Sequence, residues 1–354
     1  MTKLRVWLHG VSGRAVEHIS FDMQTVLAEK CGFHDRPGIR GVERLMRQYF
    51  LTARIVQALC SHCILVAQAK IKTHIPTRNN DEYIDGFIRR GHILLLSKND
   101  AQKPIRVLKF FKICLHENLM PDTQTLEFIK TRAFVGLVKK DPRAGRLFMD
   151  ILCARQGQDR ILRIMSECGV LGRLIPDFGR IVAQMQYNMY HVYTTDEHTI
   201  RAIGILSKIE QGAMQATYPV STHAIHRIVS RRILYMAVFL HDIAKGQPGD
   251  HSIVGAEIAK KLCPLFGFDD DETYLIQWLV LHHLLMSNTA FRRDLDDTKT
   301  ITDFVEKVKT PERLRLLICL TVADITSVGP NVWNNWKATL LRNLYHRSIA
   351  YLIG

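Results

Sequence analysis

The sequence predicts an all-α protein: a helical linker domain leading into a C-terminal helical bundle. Three observations predict it. Val42, Leu45, Met46, Tyr49, Phe50, Ala53 and Val56 recur close to the 3.6-residue period, which marks one core-facing helical stripe. From Tyr190 to the C-terminus the helical pattern is strong, and its starts and stops are easy to place. Strand-like runs are confined to Gly86–Arg90 and His92–Leu96, either side of Gly91.

In chain order, residues 1–75 read as a helical region, with a turn at Asp35-Arg36-Pro37-Gly38 before the striped helix. Residues 76–185 read as a helical connecting region. Pro76, Asn79-Asn80 and Asp100 mark its loops, and helices resume near Ile105, punctuated by Pro121, Pro142, Gly157, Gly172 and Pro176. Residues 186–354 read as the functional bundle. Thr194-x-x-Glu197 has the spacing of a capping box, which puts His198 in the first turns of a helix. Gly246 is placed to end the helix that carries Ile233 to Lys245. Thr310-Pro311 is an N-cap with proline in the first turn, Gly329-Pro330 stops that helix, and a last helix runs from near Val332 toward Tyr345. Trp333 and Trp336 fit packing positions at helical spacing.

Composition excludes several classes. With 47% hydrophobic and 23% charged residues the chain builds real cores. Its longest apolar run, Ile233–Leu240, is far short of the ~18–20 residues of a membrane span. The N-terminus has no apolar stretch of signal-peptide length, so the expected location is the cytoplasm. Cys60 and Cys63 lack the second CxxC of a strong zinc signature and read as buried reduced thiols on an apolar helix. The net charge of +14 favours an anionic partner. The positive residues are dispersed, with pairs such as Arg292-Arg293 reading as exposed loop, and no nucleic-acid-binding fingerprint appears, which disfavours nucleic acid.

Four residues carry the chemistry. His198 opens one helix, His241-Asp242 ends the apolar face of a second, and Asp324 lies beside Ala323 and Ile325 in a third. A carboxylate in such apolar company needs a cation or several donors. Imidazole with carboxylate is a normal ligand set for a divalent metal, and ligands drawn from separate helices would tie the bundle together. His251 and the pair His282-His283 fall in the same half. They serve either as ligands of a second metal, His251 and His282 foremost, or as outer donors and proton carriers around a single one. Lys245 lies one turn after His241 and can reach a phosphate oxygen near the metal.

The pattern His…His-Asp…Asp on helices resembles the HD-domain metal phosphohydrolase superfamily. Leu171-Gly172-Arg173-Leu174-Ile175-Pro176-Asp177-Phe178-Gly179, Tyr190-His191-Val192-Tyr193-Thr194-Thr195-Asp196-Glu197-His198, His282-His283-Leu284-Leu285-Met286-Ser287 and Val328–Lys337 narrow it. Together they resemble the bifunctional uridylyltransferase/uridylyl-removing enzymes of bacterial nitrogen control. Leu8-His9, Gly13-Arg14, Phe21–Gln24 and Val42–Arg47 are similar to the helical region after that family's nucleotidyltransferase core.

The resemblance implies an HD-domain bundle, a divalent metal (Mg²⁺ or Mn²⁺), and removal of UMP from a tyrosine of the uridylylated PII signalling protein. Catalytic roles then fall to Lys245, His251, His282 and His283. Asp269/Asp271 and Asp294/Asp296 have the spacing of the family's transferase metal pair, but neither follows its Gly-Ser loop. Asn188 stands where the family pattern has Asp. The expected form therefore lacks the transferase core, its activity, and the glutamine-sensing ACT domains. An HD-type nucleotide phosphohydrolase and a non-catalytic remnant are the competing readings.

Overall fold

A computed structural model describes residues 2–72, 81–130, 141–185, 193–330 and 332–354. Pro76, Asn79, Asn80, Asn188, Tyr190, His191, Val192 and Asn331 lie outside the described residues.

Three helices open the chain: α1 (Thr2–Ser12), α2 (Phe21–Lys30) and α3 (Gly41–Lys72). Leu8, Leu27, Ala28, Val42, Leu45 and Met46 form their small core, which Met185 joins. The stripe predicted on α3 is buried only in its first turns. Tyr49 and Phe50 are partly covered, Val56 is 46% exposed, and Cys60 and Cys63 are exposed rather than buried. The periodicity continues past the point where α1 and α2 cover it.

Among the described residues, strands occur in one small sheet: β1 (Glu82–Ile84), β2 (Phe87–Arg90), β3 (Ile93–Leu95) and β4 (Met120–Pro121), in spatial order 1-2-3-4. The first two pairings are antiparallel, and β3 pairs parallel with β4. Asp85-Gly86 closes the first hairpin with both residues at positive φ, the twist a two-residue turn needs. The expected strands around Gly91 are β2 and β3.

Helices dominate the remainder: α4 (Pro104–His116), α5 (Thr123–Lys130), α6 (Pro142–Leu152), α7 (Gln158–Glu167), α8 (Val170–Leu174) and α9 (Pro176–Ile181). There follow α10 (Thr195–Glu210), α11 (Pro219–Ile225), α12 (Arg231–Leu240), α13 (His251–Leu262), α14 (Asp270–Leu281), α15 (Leu285–Arg292), α16 (Thr298–Val308), α17 (Pro311–Ser327) and α18 (Asn335–Ile353). One continuous apolar core runs from Phe87 to Tyr345. Phe239 stacks on Phe178 at 5.1 Å and meets Phe148 edge-on at 5.2 Å, so the connecting region packs directly onto the bundle.

Two helices are apolar nearly all round and therefore sit at the centre. In α12 every residue from Ile233 to Leu240 is buried, and α17 buries Leu316 to Ala323 without a break. α10 packs against both. Thr310 caps α17 by accepting from the Arg313 amide, as its sequence predicts. α18 begins at Asn335, capped by Asn334, so Trp333 lies in the preceding loop, edge-on to Tyr218, and Trp336 is exposed against Phe291.

The capping box at Thr194 does not form. Glu197 is held by Arg163 of α7 at 2.9 Å, and Thr194 Oγ1 accepts from Arg54 of α3. Both side chains are drawn into tertiary contacts with arginines, Glu197 by an ion pair and Thr194 by a hydrogen bond. A capping box forms instead at Asp269/Glu272, which accounts for the Asp269 side chain.

Candidate metal centre

His198 comes from the first turn of α10 and Asp324 from the last turn of α17, both facing the end of α12. The α-helix of α12 stops at Leu240, earlier than the Gly246 expected from sequence. Beyond it the chain tightens into turns in which Ile243 bonds Leu240 O and Lys245 bonds Asp242 O. His241 and Asp242 lie at the start of these turns, and Gly246 closes them at φ 74°. A Cβ at Gly246 would also overlap the buried Gln184 side chain. His251 starts α13 behind its N-cap, Asp250, and His283 follows the end of α14.

The four primary donor atoms converge. His198 Nε2 lies 3.2 Å from His241 Nε2, 3.0 Å from Asp324 Oδ1 and 3.4 Å from Asp242 Oδ2. His241 Nε2 is 3.3 Å from Asp242 Oδ2 and 3.6 Å from Asp324 Oδ1. These separations suit donors sharing one ion at about 2.0–2.2 Å each. The other carboxylate oxygen, Asp242 Oδ1, faces a second set: His283 Nε2 at 3.8 Å and His251 Nε2 at 3.9 Å. Two groups of potential metal ligands result, His198/His241/Asp324 and Asp242/His251/His283, with Asp242 between them.

Three imidazoles are oriented by hydrogen bonds on their far nitrogen. His241 Nδ1 donates to Val238 O and His283 Nδ1 to Val280 O, each at 2.7 Å. Both acceptors sit three residues earlier, in the last turn of the helix just ended. Ser327 Oγ gives its proton to Asp324 O at 2.8 Å, so it accepts from His198 Nδ1 at 3.0 Å. A carbonyl can only accept, which leaves Nε2 of His241 and His283 as the inward nitrogen; Ser327 does the same for His198.

Electrostatics test whether a cation belongs here. Asp242 is buried, and its Oδ1 accepts no hydrogen bond, while His251 Nε2 is buried without a donor or acceptor. Burial penalises the Asp242 charge, yet His241, Lys245 and His198 hold its carboxyl well below the usual range. Asp324 is depressed in the same way by His198 and His241 against the cost of its burial. Burial would lower His241, but the Asp242 and Asp324 carboxylates outweigh it and hold the imidazole up to about 10. Burial and the His241 charge push His283 down to about 4. The carboxylates thus draw positive charge to the inward nitrogens, and orphaned acceptors remain beside them. The residues fit a divalent cation.

Lys245 Nζ stands 2.6 Å from Asp242 Oδ2 at the rim of the site. His282 is not brought in. It caps α14, and its ring packs on Trp278 one turn back at 5.0 Å, so its neighbour His283 faces the carboxylates and His282 faces away. Sequence reasoning missed Ser327, whose only signal is its position one turn after Asp324. It also missed Asp196, buried two residues before His198, which accepts from Ala183 N at 3.0 Å and from Arg54 at 2.8 Å.

Comparison with known proteins agrees with this geometry. Residues 195–329 match the family model described as HD domain, and residues 1–64 match that described as GlnD PII-uridylyltransferase. The chain is thus similar to an HD domain over its C-terminal half and to a PII-uridylyltransferase segment at its N-terminus. A bifunctional uridylyltransferase/uridylyl-removing enzyme of Azospirillum brasilense is 47% identical over 99% of this chain and 39% of the relative. One from Rhodospirillum rubrum is 47% identical over 98% of this chain and 38% of the relative. A Novosphingobium aromaticivorans enzyme of the same name is 44% identical over 97% and 38%. The chain thus spans well under half the length of these relatives. The HD match covers every residue of both ligand groups. Among the described residues no helix is long and apolar enough to cross a membrane.

Proposed function

We propose that the chain is a metal-dependent phosphodiesterase that removes UMP from a uridylylated tyrosine of the PII signalling protein. The observation that carries the hydrolase reading is the convergence of inward Nε2 atoms on two carboxylates, with the imidazoles of His198, His241 and His283 each held by a partner on the far side. The substrate reading rests on the relatives' names and on the match at residues 1–64.

In this reading His198, His241, Asp324 and Asp242 would hold one divalent ion, Mn²⁺ or Mg²⁺, and Asp242, His251 and His283 would hold a second. Divalent ions in such a set acidify water and neutralise phosphoryl charge. The protein's part is positional. Val238 O, Val280 O and Ser327 hold the Nδ1 side of their imidazoles, so that Nε2 of His241, His283 and His198 faces the carboxylates. Lys245 places a fixed positive charge at the rim for a phosphoryl oxygen. A tyrosine leaving group has a reference pKa of about 10, so its departure needs little acid help, and His282, turned away, is not required.

The test is UMP release from uridylylated PII by the chain with Mn²⁺, beside the His241→Ala/Asp242→Ala double variant. Release by the wild type alone supports the proposal. A wild type that binds metal yet releases no UMP overturns the substrate assignment.

A further inference from the structure

His282 leaves the metal centre for a different feature. Its ring lines a groove of about 410 Å³ between α14 and the junction of α16 with α17. That volume is within the range of small-ligand sites, roughly 300–1,000 Å³. We propose that this groove binds a small phosphate-bearing anion, separately from the metal centre.

Charge is the first ground. Lys307, Lys309 and Arg313 line the groove against the single carboxylate of Glu306. Among the described residues none of the three cations makes an ion pair, whereas the neighbouring Arg315 pairs with Glu312 at 3.7 Å. Unspent positive charge is therefore concentrated at one place.

Preorganisation is the second. The Arg313 guanidinium lies 4.7 Å from the Trp278 ring centre and 5.4 Å from that of Tyr274. Two aromatic faces hold it, so less freedom is lost when its planar fork meets a phosphate. His282 rests on the same Trp278 ring and offers its imidazole to the groove.

Backbone conformation is the third. Lys309 ends α16 at φ 68°, a region that β-carbon-bearing residues rarely adopt. Glycine would hold that turn more easily. Retaining lysine there puts an ammonium group at the groove's edge.

The groove and the metal centre occupy two faces of one turn, since His282 and His283 are consecutive. The two sites are nevertheless separable by experiment. The 354-residue chain, stripped of metal with EDTA, is titrated calorimetrically with UMP and, in a second experiment, with inorganic phosphate. Saturable binding of at least one probe is expected, weakened about tenfold or more by Arg313→Gln and by Lys309→Gln, as losing a charge-assisted contact requires. Asp324→Asn should leave it unchanged. Tighter binding of UMP than of phosphate supports the site with the nucleoside part in contact, and equal binding supports it with the anion alone recognised. The proposal is overturned by no saturable binding of either probe, by binding that survives both groove variants, or by binding lost in Asp324→Asn. Thermal melts of each variant show that it is folded, and Lys309, being exposed, provides a change that spares the core. Because metal is absent throughout, failure here leaves the uridylyl-removing proposal standing.

Discussion

Ser327 Oγ lies 3.0 Å from His198 Nδ1 and donates a hydrogen bond to the Asp324 backbone carbonyl, so one hydroxyl links two of the candidate metal ligands. Ser327 is fully buried. It is a positioning residue. Ser327→Ala should leave the fold intact while weakening Mn²⁺ binding about 10–100-fold, the usual cost of losing a partner behind a ligating histidine. Calorimetric metal titration with a parallel thermal melt checks this. Unchanged Mn²⁺ affinity in a folded variant would show that His198 needs no such orientation.

Two ligand groups sharing Asp242 predict two ions per chain. His283→Ala removes a nitrogen from the second group alone, so bound Mn²⁺ should fall from about two to about one. Asp242→Ala should abolish both. Saturating Mn²⁺ should raise Tm, and EDTA should reverse the rise; at one hundred times Kd the linkage is worth about 2.7 kcal/mol per site. Elemental analysis of the dialysed protein gives the stoichiometry directly. A single ion in the wild type would assign His251 and His283 to hydrogen bonding.

The candidate ligands stood out in the sequence because His198, His241, Asp242 and Asp324 interrupt apolar helical faces, where a polar group needs a reason to be buried. Sequence could not choose between His282 and His283. The choice is made by the local end of α14, where His282 takes φ −109° and falls back onto Trp278. The Thr194/Glu197 signal failed for another reason. Its side chains had better partners, Arg54 and Arg163, far away in sequence and adjacent in space. Likewise the α3 stripe repeats faithfully past Ala53, but periodicity does not say where the covering helices stop. The small sheet was half visible, because Asp85-Gly86 is a turn signal while β4 is too short to register.

Arg54 ties α3 to α10, the helix that carries His198. Its guanidinium reaches Asp196 at 2.8 Å, and Asp196 is buried. Arg54→Met keeps the apolar stem and deletes the charge, leaving the buried carboxylate, among the described residues, with the Ala183 amide and Ser166 hydroxyl. Removing one partner of a buried pair costs about 3–5 kcal/mol, and the partial exposure of Arg54 lowers that to roughly 2–3 kcal/mol. Urea unfolding measures the loss. A change under about 0.5 kcal/mol would mean that the pair is solvated and does not hold α10.

Glu210, at the far end of α10, supplies a pH-dependent contribution away from the candidate metal centre. Burial alone would raise its pKa, but the Arg231 guanidinium at 2.7 Å and the Tyr235 hydroxyl at 2.7 Å outweigh burial and hold it below the ordinary value. A depressed carboxyl stabilises the fold fully above its unfolded pKa, about 4.3, and that contribution disappears as pH falls through the folded value. Glu210→Gln should therefore cost about 1–3 kcal/mol at pH 7, the range for hydrogen bonds to a charged group. The gap to wild type should narrow as pH drops below about 4. Denaturant titrations at pH 7 and at successively lower pH compare the two chains. A gap that widens toward acid would reverse the sign and show that Glu210 is protonated in the folded chain.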